Sequence, residues 1–225
     1  MKKLNIYIFA ASVLSLSSCS DSFLNLTPET TITTETFYKT ADHFEQATVA
    51  SYTGLRNIAL SGIFMDEMRS DNTFYTYYSG DRGPYNSTEK LALFLDDETV
   101  GWSPDRYNGV YSSIARVNTI LGRLDASELT EEEKKTVKAE ALFLRATYYF
   151  WLVNLYAKPY AAGTAATDLG VPIKVRSEVE DKDFVRDPVA DVYNLIVEDL
   201  LKAISDLKGI VQASVYRANE TAARA

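Results

Sequence analysis

The chain has 225 residues, a formal net charge of -8, 46% apolar side chains and a single cysteine. That length holds one large domain or two small ones. The acidic balance, with no basic stripe, argues against nucleic acid as a partner, and one cysteine excludes an internal disulfide.

Residues 1–18 read as a bacterial secretory signal. Lys2 and Lys3 form its charged start, and Leu4 to Leu16 form an apolar run too short to span a bilayer. Leu16-Ser17-Ser18-Cys19 reads as a lipobox, with Cys19 as the lipidation site; an ordinary signal carrying an incidental cysteine is the other reading. Each buried acyl methylene contributes about 0.8 kcal/mol, so a multiply acylated Cys19 is expected to anchor the mature protein to a membrane without crossing it. Residues 19–40 form a lipidated start and a tether rich in Ser, Thr, Asp and Glu. Residues 41–225 are expected to be one α-helical domain.

Helical spacing begins at Asp42 and runs to Leu60, with Phe44, Ala47, Thr48, Ser51, Leu55 and Ile58 on one side. His43, the lone histidine, reads as a surface or capping residue, and its solitude disfavours His-based metal or acid–base chemistry. Residues 61–103 lose the period. A long irregular excursion in a compact domain is usually functional. This one gathers Phe74, Tyr75, Tyr77, Tyr78, Tyr85 and Trp102 beside Asp71, Asn72, Arg82 and Asn86. Rings stack on the apolar faces of sugars, while carboxylate, amide and guanidinium groups bind hydroxyls. Asp71, Tyr75, Tyr77, Arg82 and Trp102 are the candidate ligand contacts; the competing reading is that the aromatics seal this excursion onto the core.

Ser103-Pro104 opens the next helix, with proline at its first position. Tyr107, Val110, Tyr111, Ile114, Val117, Leu121 and Leu124 make its apolar stripe. A short link, Asp125 to Leu129, predicts an antiparallel hairpin with the helix that follows. That helix, Thr130 to Tyr156, opens with a capping box of Thr130 and Glu133. It is apolar on two faces, so it is expected to be the buried centre of the domain. Lys138, Glu140, Arg145 and Asn154 interrupt it, and it is therefore not a membrane span. Lys158-Pro159 breaks it and a crossover loop leads to Val171-Pro172-Ile173. Asp187-Pro188 reads as a cap and first-turn proline for a helix striped by Val189, Val192, Tyr193, Ile196, Leu200, Ala203 and Leu207. Gly209 ends it. Arg217 to Ala225 reads as the start of a further helix, cut short.

Several of these landmarks together resemble the SusD/RagB lipoproteins. They are the lipobox with an early NLTPE; EMRSDN at 67–72; the spaced run of Trp102, Tyr107, Tyr111, Ile114 and Asn118; AEALFLRATYYFWLVNLY at 139–156; LGVPIKV at 169–175; and RDPVADVYNLIVEDLLKAISDL at 186–207. The resemblance implies an all-α fold of tetratricopeptide-like helix pairs with long irregular loops. It also implies a surface-exposed lipoprotein of the outer membrane that binds glycans or other nutrients and delivers them to a SusC-like TonB-dependent transporter. Family members are about twice this length, so the chain is expected to be the N-terminal part of such a protein, incomplete at its C-terminus.

Enzymatic activity is not expected. Asp96, Asp97, Glu98 and Asp105 cluster, but 31 acidic residues produce such clusters by chance. No P-loop, nucleophile elbow or Cys/His pair is present, and no calcium-loop spacing of the EF-hand kind. No cofactor or metal is expected. The alternative function is a lipid-anchored tetratricopeptide-like scaffold that binds proteins and no glycan.

Overall fold

The computed structural model describes residues 34–70, 90, 92–95, 104–178 and 183–225. The chain divides into two units. The first, Met1–Phe37, has one described element, the short helix α1 (Thr34–Phe37). The second, Tyr38–Ala225, carries α2 (Ala41–Met68), α3 (Pro104–Asp125), α4 (Glu131–Tyr156), α5 (Val189–Leu207) and α6 (Glu220–Arg224). Among the described residues there is no strand; one isolated bridge joins Leu169 to Pro188. The fold is all-α, as the periodicities require.

The α4 helix is the hub. It packs against α2, α3 and α5, and α6 packs on α5. Its start is fixed by the expected capping box. Thr130 accepts from the Glu133 amide while the Glu133 carboxylate accepts from the Thr130 amide at 2.9 Å. Two orphan donors are thereby satisfied. The α3–α4 pair is an antiparallel hairpin: Asp125 meets Lys138, Asn118 meets Arg145 and Tyr111 meets Tyr149, so later residues of one helix meet earlier residues of the other.

Burial follows the stripes. Ile114, Val117, Ile120 and Leu124 of α3, Leu144, Tyr148, Tyr149 and Leu152 of α4, and Leu207 of α5 are sealed from solvent together with Phe44 of α2. Each such aliphatic or aromatic side chain contributes roughly 1.5–3 kcal/mol through its removal from water.

Three local expectations are corrected. First, α2 does not stop at Leu60 but continues to Met68. Its extension is rich in good helix formers such as Met65, Glu67 and Met68, and a single internal glycine, Gly62, costs only about 1 kcal/mol. Second, Pro188 stands at the N-cap of α5, and Asp187 caps nothing. The Asp187 carboxylate instead accepts from the Ile173 amide at 2.6 Å and ties the crossover down. Third, helical spacing puts Phe150 on the same apolar face as Tyr149, yet it is 49% exposed, at the margin of the arc that Tyr149 and Leu152 bury.

Arg217, expected at the start of a last helix, lies ahead of it. The α6 helix begins at Glu220 after an Asn219 cap whose side chain accepts from the Ala222 amide. Among the described residues no helix is long and apolar enough to cross a membrane.

A candidate ligand groove and the polar frame behind it

The side of the domain where α2, α3 and α4 converge opens into a groove of about 380 Å³. A glycine creates the approach that shapes it. A Cβ on Gly54 of α2 would lie 2.5 Å from Ser113 Oγ and 2.7 Å from the Tyr148 hydroxyl, so no larger residue allows α2 to sit this close to α3 and α4. Gly109 on α3, by contrast, faces open space within the groove.

The lining mixes apolar surface with a few polar groups. Trp151, Leu152, Leu155 and Tyr156 come from α4; Val110, Ser112, Ser113 and Arg116 come from α3; Asn57 and Ile58 come from α2. Trp151 and Tyr156 are half-buried, so each keeps part of its ring available. Arg116 and Asn57 are exposed, and Arg116 makes no ion pair among the described residues. An indole, a phenol, a guanidinium and an amide in one shallow groove are the groups that recognise a sugar by ring stacking and hydroxyl binding.

Behind the groove, four tyrosine rings run in a chain. Tyr156 meets Tyr107 edge-on at 5.1 Å, Tyr107 meets Tyr111 at 4.7 Å, and Tyr111 meets Tyr149 edge-on at 6.5 Å. Their far end holds the crossover by its main chain. Tyr111 donates to the Pro172 carbonyl at 2.6 Å, Tyr149 donates to the Lys174 carbonyl at 2.8 Å, and Tyr149 accepts from the Lys174 amide at 2.6 Å. Asn118 donates to the same Lys174 carbonyl at 2.9 Å. Arg186 closes the loop from outside, donating to the carbonyls of Gly170, Leu169 and Tyr156 at 2.6–2.8 Å.

The charges inside the helix stack are all paired. Arg145 holds Asp199 of α5 through two hydrogen bonds of 2.7 and 2.9 Å and donates a third, at 3.1 Å, to Asn118. Glu140, fully buried, accepts from Tyr52 at 2.7 Å and from Arg217 at 2.6 and 3.0 Å. Burial raises the ionisation of Tyr148 to about 12 and pushes Tyr149 and Tyr111 up as well. Tyr52 rises for the same reason, helped by the Glu140 carboxylate beside it. These phenols therefore serve at neutral pH as neutral hydrogen-bonding groups. No cluster of acidic, histidine or cysteine side chains suited to a metal ion occurs among the described residues.

Asp71, Tyr75, Tyr77, Arg82 and Trp102, the contacts expected from the sequence, lie outside the described residues, as does Cys19. The groove residues Asn57, Arg116, Trp151 and Tyr156 escaped the sequence reading. One signal was available: Trp151 belongs to neither apolar face of α4, so a large ring there has no core position to fill.

This is a helical frame with an open groove between α2, α3 and α4. A family model described as SusD-like, starch-binding and associating with the outer membrane matches residues 23–225. The chain belongs to this SusD-like family. It is 29% identical over 165 residues to the SusD-like protein P25 of Formosa agariphila, covering 69% of this chain and 31% of that protein. A SusD-like protein of Bacteroides ovatus is 24% identical over 230 residues, covering 99% of this chain and 38% of the relative. The chain thus spans about a third of the length of these curated relatives. Among solved structures, a SusD superfamily protein of Bacteroides thetaiotaomicron superposes with a TM-score of 0.65 at 22% identity, over 82% of this chain and 40% of its own. A laminarin-binding SusD-like protein superposes at 0.62 and 21% identity, over 83% and 39% respectively. At these identities the structural likeness speaks for the fold.

Proposed function

We propose that this chain is the N-terminal α-helical part of a surface-exposed outer-membrane lipoprotein that binds glycans and delivers them to a SusC-like TonB-dependent transporter. The observation that carries the reading is the groove between α2, α3 and α4, where Trp151 and Tyr156 offer rings beside Arg116 and Asn57. Family membership, and the laminarin binding of one structural neighbour, support a carbohydrate as the ligand class. In this reading the protein binds and does not cleave. Asp71, Tyr75, Tyr77, Arg82 and Trp102 supply further contacts from the excursion between α2 and α3, and acyl chains on Cys19 hold the protein at the membrane.

Calorimetric titration with laminarin and starch oligosaccharides tests it. The wild-type chain from Ser20 onward is compared with Trp151→Ala, Arg116→Ala and Trp102→Ala, each checked for retained helicity. Loss of one stacking ring removes about 0.5–1.5 kcal/mol, judged from aromatic pairs in proteins. No glycan binding by the wild type, with retention of a transporter instead, refutes it. Metabolic labelling with a palmitate analogue, abolished by Cys19→Ala, tests the anchor.

A second reading, a protein-binding scaffold, is favoured by one feature. Val197 and Leu201, one turn apart on α5, are 51% and 61% exposed. A scaffold retains protein partners and ignores glycans.

A further inference from the structure

The groove between α2, α3 and α4 has a charge pattern opposite to that of the chain. The chain carries 31 acidic residues and a net charge of -8. Yet residues 46–65 of α2, 106–124 of α3 and 141–156 of α4 contain no aspartate or glutamate. All the described lining residues fall inside these three runs, so no carboxylate stands among them, and their one charged side chain is Arg116.

The fold does not consume that charge. Arg145 is matched by Asp199, Lys138 by Asp125 and Lys158 by Asp168. Arg116 is exposed and has no ion pair among the described residues. Its neighbours one turn away on α3 are Ser112, Ser113, Thr119 and Ile120, all neutral. Ser112 and Ser113 donate their hydroxyl protons to the carbonyls of Asn108 and Gly109, at 2.9 and 3.1 Å, and so offer a ligand only acceptors. Charge-assisted donation within the groove therefore falls to Arg116. Arg56, beside Asn57 on α2, is also exposed without an ion pair among the described residues and adds to the same field. A cleft lined by one sign of charge concentrates counter-charged ligands. A guanidinium binds a carboxylate or sulfate more strongly than it binds a neutral hydroxyl.

We propose that the groove prefers an acidic saccharide, one that stacks a sugar ring on Trp151 or Tyr156 and presents a uronate carboxylate or a sulfate ester to Arg116. This rests on the glycan reading of the groove and narrows it from sugars in general to sugars that carry an oxyanion.

The test is calorimetric titration of the chain from Ser20 with two matched pairs: digalacturonic acid against its methyl ester, and a sulfated disaccharide against the same disaccharide without sulfate. Sodium sulfate is titrated alone. In at least one pair the acidic member should bind at least fivefold more tightly than its neutral partner, and raised salt should narrow the gap. The pair that shows the gap distinguishes carboxylate from sulfate. Arg116→Ala, at an exposed position, should close the gap, while Lys208→Ala, an exposed cation beyond α5, should leave it unchanged. Trp151→Ala should weaken acidic and neutral members alike. A gap that survives Arg116→Ala, or that Lys208→Ala closes, overturns the proposal. Sodium sulfate bound as tightly as the acidic sugars overturns the saccharide assignment. Equal binding within both pairs, weakened by Trp151→Ala, sinks this inference and leaves the groove reading standing; no sugar bound by the wild type sinks both.

Discussion

Substituting Arg217 by alanine should be the most informative single change to this fold. Arg217 is separated by 77 residues from Glu140, yet donates to both its oxygens, at 2.6 and 3.0 Å, and also pairs with Glu45 of α2. Glu140 itself is completely buried, and Arg217 keeps only 11% of its side chain exposed. The cost of the substitution lies less in the lost attraction than in the carboxylate left behind. Removing one partner of a buried pair costs about 3–5 kcal/mol. Here Tyr52 still donates to Glu140 at 2.7 Å, which places the expected loss near the lower bound, at about 3 kcal/mol. For a chain of this size each kcal/mol moves the melting point by about 2–4 °C, so a fall of about 6–12 °C is expected. Urea denaturation followed by far-UV circular dichroism measures it, with the midpoint falling and the slope unchanged. Adding Glu140→Gln should restore part of the loss, since a buried amide is cheaper than an unpaired carboxylate. A loss below about 1 kcal/mol, or simple additivity of the two changes, would refute the assignment of Arg217 as the counter-charge of Glu140.

Gly54→Val should destabilise the domain by about 1–3 kcal/mol through overpacking against Ser113 and Tyr148, measured by the same denaturation; an unchanged midpoint would mean that α2 can back away freely. Thr130→Ala should cost about 1 kcal/mol by removing the cap of α4, and a value near zero would show the helix start to be held by packing alone. Alkaline pH should destabilise the fold. The Tyr148 hydroxyl stays protonated in the folded state up to about 12. The unfolded chain loses that proton near pH 10, so the contribution is fully present below pH 10, falls by about 1.4 kcal/mol per pH unit between there and about 12, and is lost above that. Denaturation at pH 9, 10 and 11, with tyrosinate absorbance read in parallel, checks this; a flat stability profile contradicts it.

Much of the framework was legible because helices announce themselves through period and punctuation. The stripe from Tyr107 to Leu124, the Thr130 and Glu133 box and the stripe from Val189 to Leu207 became α3, the start of α4, and α5. The polar partners were not legible. Glu140 and Arg145 read as interruptions of an apolar helix, yet both are buried keystones whose partners, Arg217 and Asp199, lie 77 and 54 residues away. Nothing local in a sequence says which distant charge will meet another. Asp187 read as a cap because Asp before Pro usually is one, and tertiary structure used its carboxylate on the Ile173 amide instead. The groove was missed for a related reason: Gly54, Arg116 and Trp151 sit on three helices and gain meaning only once those helices touch.

The crossover illustrates how such a frame can diversify. Tyr111, Tyr149 and Asn118 grip residues 172–176 through carbonyls and an amide, and Asp187 grips the Ile173 amide. Main-chain atoms are the same whatever residue carries them. The path of this segment is therefore insensitive to the side chains it displays at 174–178, including exposed Arg176. Substitutions there can change charge and reach without moving the backbone that presents them. The stretch behaves as an interchangeable faceplate on a fixed mount, a place where surface charge can drift while the helices beneath stay as they are.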